Sequence, residues 1–246
     1  ARDIRLACRL DSTISSTIYW AECSSARPMP LLDRILRPDM TFVDVGANEG
    51  EQTLFAAKRL SAGKVIAFEP NPRVFAMLEQ NLALNGFGNT TLEQMGLGDK
   101  AGEVSLFASD SRSADGSFNL GLSTLHAREG VRTSVASIRV DTLDNYCARE
   151  GLKRLDVLKI DVEGSELAAL RGAGHTLETL KPRLIVEVNE TTSRAGGYEA
   201  REILELISGH GYAVHNILAD GSTRKLTDLR YASRDVYCVP AGGALS

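Results

Sequence analysis

The sequence predicts an α/β fold in which a mostly parallel sheet of about seven strands is covered by helices on both faces. Short apolar runs that suit buried strands begin at Thr41 and Lys64 and recur along the chain. Stretches with apolar residues at helical spacing lie between these runs, and glycine or proline turns separate the two kinds of segment. This alternation of strand and helix is typical of a doubly wound, Rossmann-like sheet.

Length and composition narrow the classes of protein. A chain of 246 residues with 43% apolar and 24% charged residues fits one α/β domain with a substantial core. The formal net charge of -4 argues against a broad nucleic-acid surface, so we expect no nucleic-acid partner. No apolar run approaches the ~18–20 residues of a membrane span. The four cysteines form no C-x-x-C pair, which favours free thiols and a cytoplasmic location.

Residues 1–38 precede the first strand and are predicted to form an N-terminal helical extension. The apolar residues from Leu31 to Leu36 have the spacing of a short amphipathic helix that ends before Pro38. Such an extension can cap a ligand site, form a contact in a homo-oligomer, or simply pack on the core. We assign residues 39–246 to the main domain.

The first strand leads directly into a glycine turn. Residues 41–45 are largely apolar, as a buried parallel strand requires, and residues 52–60 have helical spacing. Between them, Gly46 and Gly50 allow a sharp turn and let a ligand approach the backbone. The two glycines match neither the G-x-G-x-x-G of dinucleotide folds nor a phosphate-binding loop.

The second strand, residues 64–69, ends in an acidic residue. A carboxylate at this position can accept hydrogen bonds from both hydroxyls of a ribose, which is the role we predict for Glu69. Pro70 and Pro72 then end the strand and open the next helix. Because no pyrophosphate pattern is present, the acidic groups of Asp44 and Glu69 favour a ligand with a nucleoside and a positive charge. S-adenosylmethionine has both.

A third strand is predicted within residues 90–98, after a helix over residues 74–85 that stops at Gly86. Asp99 follows this strand directly. In one interpretation its carboxylate accepts a hydrogen bond from the adenine amine of the cofactor. In the other, Gly98-Asp99 is only a turn.

Residues 107–137 depart from the regular alternation and include a long polar stretch. A loop of this length in a compact domain is typically functional, and we predict a substrate loop here. His126 is its candidate catalytic residue, since histidine can take a proton near neutral pH. A lone loop histidine is also commonly a solvated residue. A strand over residues 135–140 follows, and Asp141 is predicted to cap the next helix.

The fourth strand of the predicted sheet, residues 155–161, ends in a second group of carboxylates. Ligands of open α/β sheets bind at the carboxyl ends of strands, near the switch in strand order. We therefore expect Asp161 to share a crevice with Gly46, with Glu163 just beyond it. Lys159 lies on the same strand face as Asp161, at a spacing that allows an ion pair.

Three roles compete for these carboxylates. Asp161 or Glu163 can act as a general base that removes a hydroxyl proton during methyl transfer. They can instead hold the methionine amine or the acceptor by hydrogen bonds, and Glu163 can also simply cap a turn. Asp161 can alternatively share Mg²⁺ or another divalent cation with Glu187 and Asn189, which lie on one face of the next strand.

The remaining elements complete the predicted sheet. Residues 191–197 are expected to form a polar loop and residues 198–207 a helix. The last two strands are predicted at residues 212–218 and 235–239, and they are expected to run antiparallel because their connection is short.

Three segments together resemble the FkbM family of S-adenosylmethionine-dependent methyltransferases. They are Asp44-Val-Gly-Ala-Asn-Glu-Gly50, Ala67-Phe-Glu-Pro-Asn-Pro72 and Leu158-Lys-Ile-Asp-Val-Glu-Gly164, in that order along the chain. The resemblance implies the class I methyltransferase fold and O-methylation of a hydroxyl on a small molecule such as a secondary metabolite, sugar or glycolipid. Together with the arguments above, it implies these cofactor-binding residues: Asp44, Gly46, Asn48, Gly50, Glu69, Pro70, Asn71, Asp99 and Asp161.

Other functions remain open at this point. A nicotinamide-dependent oxidoreductase would use the same strand, turn and ribose carboxylate, but it should show three spaced glycines. An N-methyltransferase would need less help from a base. A non-catalytic S-adenosylmethionine-binding protein would keep residues 44–69 without a workable acceptor pocket.

Overall fold

The structure is a computed structural model that describes residues 3–8, 28–107, 134–232 and 234–243. Its strands are β1 (Thr41–Val45), β2 (Lys64–Phe68), β3 (Thr90–Glu93), β4 (Gly96–Leu97), β5 (Gly102–Phe107), β6 (Ser134–Asp141), β7 (Val157–Ile160), β8 (Arg183–Glu187), β9 (Tyr212–Ile217), β10 (Thr223–Lys225) and β11 (Asp235–Pro240). Its α-helices are α1 (Pro28–Ile35), α2 (Glu51–Arg59), α3 (Pro72–Asn85), α4 (Leu143–Arg149), α5 (Glu166–Arg171), α6 (Gly174–Thr179), α7 (Glu190–Ala195) and α8 (Ala200–Gly209). A 3₁₀ turn spans Leu229–Tyr231.

The central sheet has eight strands in the order β10-β9-β11-β8-β7-β1-β2-β3. The strands from β3 to β8 in this order are parallel to one another. β11 and β9 are antiparallel, as predicted for the last two strands. The mostly parallel, doubly wound sheet is therefore confirmed, and the count exceeds the predicted seven because the short strand β10 extends the edge beside β9.

Alternate residues of the central strands face opposite sides of the sheet, and both sides are buried. On one side Val43, Ile66 and Leu158 belong to one hydrophobic cluster. On the other side their strand neighbours Phe42, Val65 and Val157 belong to a second cluster. Burial on both faces explains why these strands appear in the sequence as continuous apolar runs, without the alternation of a half-exposed strand.

A second, three-stranded sheet was not predicted. β6 pairs in parallel with β4 and antiparallel with β5. The expected third strand over residues 90–98 is therefore wrong in its extent, because the chain leaves the main sheet after Glu93 and re-pairs at Gly96 with β6. A two-residue strand leaves no recognisable period in a sequence, so the break could not be read from the residue pattern.

Several helix boundaries also differ from the expectations. The cap of α4 is Thr142, whose hydroxyl accepts from the Asn145 amide at 3.0 Å, and Asp141 is the last residue of β6. The predicted polar loop over residues 191–197 is largely the short helix α7, capped by Asn189. In the N-terminal extension α1 agrees with the predicted amphipathic helix. Among the described residues, no helix is long and apolar enough to cross a membrane.

Candidate cofactor and acceptor site

The candidate site lies at the carboxyl end of β1, where the strand order of the sheet switches. β1 is paired with β2 on one side and with β7 on the other. Successive strands are added outward from β1 in one direction as β2 and β3 and later in the opposite direction as β7 and β8, which makes β1 the switch point of the sheet. Gly46 follows β1 with a φ of +79°, and a Cβ atom built on it would collide with the backbone carbonyl oxygen of Asp161. The glycine turn and the end of β7 are thus in direct contact, as the sequence predicted for Gly46 and Asp161.

Glu69 and the glycine turn are joined by hydrogen bonds. The Glu69 carboxylate accepts from the backbone N–H of Asn48 at 3.0 Å and of Asn71 at 2.9 Å. Burial raises the pKa of Glu69 to about 7, and the two backbone donors oppose that rise. The donors fix the carboxylate while leaving acceptor capacity on both oxygens, which is the arrangement a ribose diol needs. Pro70 follows directly and Asn71 caps α3.

The glycine turn also holds residues in unusual backbone conformations. Asn48 has a φ of +53° and Gly50 a φ of +95°. Asparagine tolerates the left-handed region better than most residues, and glycine adopts it without steric cost. The positive φ angles explain why an asparagine and a glycine occupy these two positions. Asn48 and Gly50 therefore shape the loop beside the crevice that is predicted to hold the cofactor.

Lys159 lies beneath the glycine turn and was not predicted to have this role. Its ammonium is 3.0 Å from the Asp44 carboxylate, donates to the Gly46 carbonyl oxygen at 2.7 Å, and lies 3.9 Å from the Asp161 carboxylate. Burial opposes the charge of Lys159, but Asp44 and then Asp161 outweigh it and raise its pKa. The sequence suggested only the pairing with Asp161, because the facing residue on β1 depends on strand register.

Asp44 is fully buried. Its second carboxylate oxygen accepts from the Thr53 hydroxyl at 2.6 Å, while the first pairs with Lys159. Both oxygens of Asp44 thus have partners below the turn. Its predicted role in cofactor binding stays a prediction.

Asp161 and Glu163 follow the carboxyl end of β7, and the Asp161 backbone lies against Gly46 of the glycine turn. The Asp161 side chain is 37% exposed and is the more accessible partner of Lys159. Glu163 is half-buried and has a φ of +52°, a strained conformation for a residue with a side chain. Burial, followed by the carboxylates of Asp161, Glu187 and Glu166, raises the pKa of Glu163 to about 8.

Glu166 is a site residue that the sequence reasoning missed. It is 1% exposed, and its carboxylate accepts from the backbone N–H groups of Val162 at 2.9 Å and Gly164 at 3.1 Å. The Tyr198 hydroxyl also donates to it at 2.8 Å. Glu166 therefore holds the loop that carries Glu163. An acidic residue in the first turn of a helix was the signal available in the sequence.

Two of the three residues predicted to bind a metal, Asp161 and Glu187, are brought together. Their carboxylate oxygens lie within 4.8 Å of one another and of Glu166. The oxygens of Glu166 are occupied by backbone donors, and one oxygen of Glu187 accepts from Arg234 at 2.6 Å, while its other oxygen accepts no hydrogen bond among the described residues. The side-chain oxygen of Asn189 accepts from the Thr191 amide, as the cap of α7. The metal site at Asp161, Glu187 and Asn189 stays a prediction.

Arg234 was likewise missed, because it reaches Glu187 from the antiparallel strand pair at the far end of the chain. Burial raises the pKa of Glu187 to about 7, Asp161 adds to the rise, and Arg234 opposes it.

Asp99 is not placed at the end of a strand of the main sheet. Asp99 is exposed and follows β4 in the small sheet, so it does not end the third strand of the main sheet. That position belongs to Glu93, whose backbone carbonyl accepts from the Glu69 amide at 3.1 Å. His126 lies outside the described residues, as does the predicted substrate loop except for its two ends in β5 and β6.

The family model of the methyltransferase FkbM domain matches residues 44–214, from Asp44 in β1 to Val214 within β9. This chain belongs to the FkbM methyltransferase family. It is 27% identical over 218 residues to Methyltransferase 1 of Beauveria bassiana, covering 82% of this chain and 80% of the relative. It is 29% identical over 200 residues to the 31-O-demethyl-FK506 methyltransferase FkbM of Streptomyces tacrolimicus, covering 73% and 75%.

The fold comparison agrees with the family. The structure of a methyltransferase FkbM from Methylobacillus flagellatus aligns with a TM-score of 0.52 at 19% identity. The alignment covers 83% of this chain and 45% of the other, so this chain spans less than half the length of that protein. The FkbM-family chain described here has the α/β class I methyltransferase fold, and it is an S-adenosylmethionine-dependent methyltransferase.

Proposed function

We propose that this FkbM-family chain transfers the methyl group of S-adenosylmethionine to a hydroxyl on a small-molecule acceptor. The observation that carries the proposal is Glu163. It is a half-buried carboxyl with a pKa of about 8, in a loop that Glu166 holds through the backbone N–H groups on either side of it. A general base acts best when its pKa lies near the working pH, and an alcohol nucleophile needs such a base.

The cofactor occupies the crevice over the glycine turn. Glu69 accepts hydrogen bonds from the ribose hydroxyls, since its carboxylate is fixed by the Asn48 and Asn71 amides. Asp161, exposed at the end of β7, faces the positively charged methionine portion. Gly46 and Gly50 give the turn beside this crevice its shape, because both have positive φ angles and pack closely, Gly46 against the Asp161 carbonyl and Gly50 against Leu78.

The reaction needs little covalent chemistry from the protein. The acceptor oxygen attacks the methyl carbon, the bond from carbon to sulfur breaks, and its electron pair stays on sulfur to give S-adenosylhomocysteine. The hydroxyl proton passes to the Glu163 carboxylate. Alignment of oxygen, methyl carbon and sulfur supplies most of the acceleration, because the sulfonium already activates the methyl group.

Binding of the cofactor also prepares the base. A cation placed near Glu163 favours its ionised form and lowers its pKa from the value of about 8. The base is therefore more fully ionised when S-adenosylmethionine is present than when it is absent.

A relative of this chain is named for an O-demethyl substrate, and this supports a hydroxyl acceptor over an amine. The acceptor class remains that of a secondary metabolite, sugar or glycolipid. This mechanism routes no step through a metal ion.

The first test is calorimetric titration of the purified protein with S-adenosylhomocysteine beside NAD. We expect micromolar binding of S-adenosylhomocysteine alone. Binding of NAD in its place would overturn the proposal. A panel of acceptors that carry either a hydroxyl or an amine at the same position then separates O-methylation from N-methylation, and cofactor binding without any turnover would instead favour a non-catalytic role.

A further inference from the structure

The N-terminal residues of the chain run along helix α3 as an extended strap. We define the strap as residues 3–8. The Arg5 amide donates to the Asn85 side-chain oxygen at 2.8 Å, and the Asn85 side-chain nitrogen donates back to the Arg5 carbonyl at 2.7 Å. Two residues further on, the Ala7 amide donates to the Asn81 side-chain oxygen at 2.8 Å.

The spacing of these contacts follows from the geometry of the two elements. Alternate residues of an extended chain are about 6.6 Å apart along its axis. Residues four apart on a helix, such as Asn81 and Asn85, are separated by about 6 Å and point to the same side. Two asparagines on one helix face can therefore bind two same-facing amides of an extended segment. The two-residue spacing of Arg5 and Ala7 thus agrees with the four-residue spacing of Asn85 and Asn81, and both hydrogen bonds form at once.

The two asparagines differ in what else they hold. The side-chain nitrogen of Asn81 donates to the carbonyl oxygen of Glu49 at 2.8 Å, and Asn81 is fully buried. Glu49 lies in the glycine turn, between Asn48 and Gly50. The side-chain nitrogen of Asn85 donates to the Asn81 carbonyl and to the strap, so its recorded contacts stay on α3 and the strap.

The last residue of the strap lies within electrostatic range of the turn. Cys8 is the last strap residue, and after burial the nearby Glu49 carboxylate raises the pKa of its thiol. By contrast, the ion pair between Asp3 and Lys58 at the other end of the strap is 3.4 Å long, and the Asp3 side chain is 89% exposed. An exposed pair of this kind contributes little.

We propose that Asn81 is a positioning residue that couples the N-terminal strap to the cofactor-binding turn. One end of its amide group is oriented by the strap, and the other end then fixes the Glu49 carbonyl. This fixes the Glu49–Gly50 peptide unit, which lies two peptide units along the same turn from the Asn48 N–H that points at Glu69. The inference rests on the proposed role of the glycine turn in holding S-adenosylmethionine.

Pre-organisation of a binding loop raises affinity because less conformational freedom is lost on binding. The strap therefore contributes to cofactor affinity without touching the cofactor. The same contacts give residues 3–8 of the N-terminal extension a positioning role through α3, beside the roles that the sequence left open for the extension as a whole.

The test compares two proline substitutions in the strap. Ala7→Pro removes the N–H that binds Asn81, and Arg5→Pro removes the N–H that binds Asn85. Both prolines suit an extended backbone, and each deletes one hydrogen bond between strap and helix. Arg5→Ala reports the loss of the exposed arginine side chain alone.

We expect Ala7→Pro to weaken S-adenosylhomocysteine binding about fivefold, the equivalent of one hydrogen bond, with acceptor KM unchanged. Arg5→Pro should leave the affinity within about twofold, since its hydrogen bond does not reach the turn. Equal affinities in the two variants, with thermal stability lowered alike, would show that the strap only packs on the helix.

A second variant keeps the test decisive. Asn81→Asp retains the acceptor for Ala7 but, when ionised, has no donor for Glu49. We expect Asn81→Asp to lose at least as much affinity for S-adenosylhomocysteine as Ala7→Pro does. The double variant Ala7→Pro with Asn81→Asp should bind S-adenosylhomocysteine as tightly as Asn81→Asp alone. Fully additive losses would contradict the coupling. If the unaltered protein fails to bind S-adenosylhomocysteine, the proposed cofactor site is wrong, which is a different outcome from equal affinities in the strap variants.

Discussion

Replacement of Lys159 by methionine tests the central claim about the architecture of the site. Methionine keeps much of the length of the side chain but removes the ammonium that pairs with Asp44 at 3.0 Å and binds the Gly46 carbonyl at 2.7 Å. Asp44 is fully buried and would keep only the Thr53 hydroxyl as a donor among the hydrogen bonds described here. An uncompensated buried charge is strongly unfavourable.

The magnitude follows from the burial of both partners. Removing one member of a buried ion pair costs about 3–5 kcal/mol, whereas replacing both members by neutral groups is often close to neutral. We therefore expect Lys159→Met to lower the free energy of unfolding by about 3–5 kcal/mol. The double variant Lys159→Met with Asp44→Asn should recover most of that loss, because no buried charge is then left unpaired.

Urea denaturation followed by circular dichroism measures the stability of the three variants, and calorimetry measures their affinity for S-adenosylhomocysteine. The double variant should regain stability but not affinity, because the Gly46 carbonyl still lacks its donor. A loss below about 1 kcal/mol in Lys159→Met, as for an exposed pair, would refute the reasoning. So would a double variant that is no more stable than the single one.

Three further predictions concern the crevice itself. Activity should rise with pH up to about pH 8, because Glu163 acts as a base only when ionised. Glu163→Gln should remove this rise and lower kcat about 10²–10⁴-fold, and an unchanged pH profile would exclude Glu163 as the base. Gly46→Ala should destabilise the fold and abolish cofactor binding, since its Cβ would strike the Asp161 carbonyl. Gly86→Ala, also at positive φ but with open space around it, should lower the free energy of unfolding by only about 1 kcal/mol, and similar losses for both variants in urea denaturation would contradict the close contact at Gly46. Glu69→Gln should weaken S-adenosylhomocysteine binding about tenfold or more while the thermal midpoint is retained, because a charged acceptor for the ribose is lost, and calorimetry that finds equal affinity would remove Glu69 from the cofactor site.

The residues predicted from local pattern are those whose position depends on their own strand or turn. Glu69 follows β2 and Gly46 follows β1, so strand periodicity and a turn signal were enough to place both at the carboxyl edge of the sheet. Asp161 was placed beside Gly46 because strand order in a doubly wound sheet brings the first and fourth parallel strands together.

The residues that were missed depend on contacts between distant segments. Arg234 meets Glu187 only because β11 returns antiparallel beside β8. Asn81 meets both the strap and the glycine turn because α3 lies between them. Nothing in the local spacing of either residue distinguishes it from an ordinary polar side chain on a surface.

The sequence by itself determined the alternation of strands and helices, the glycine turn, and the acidic residues that end β2 and β7. These features are local, since they depend on side-chain period and on backbone freedom within a few residues. Only the tertiary structure decided what each carboxylate contacts and how strongly it is buried. Glu166 is bound by backbone amides, Glu187 by Arg234 and Asp44 by Lys159, and burial raises the pKa of Glu163. Partner choice and desolvation are set by which elements pack together, and a one-dimensional pattern does not contain that information.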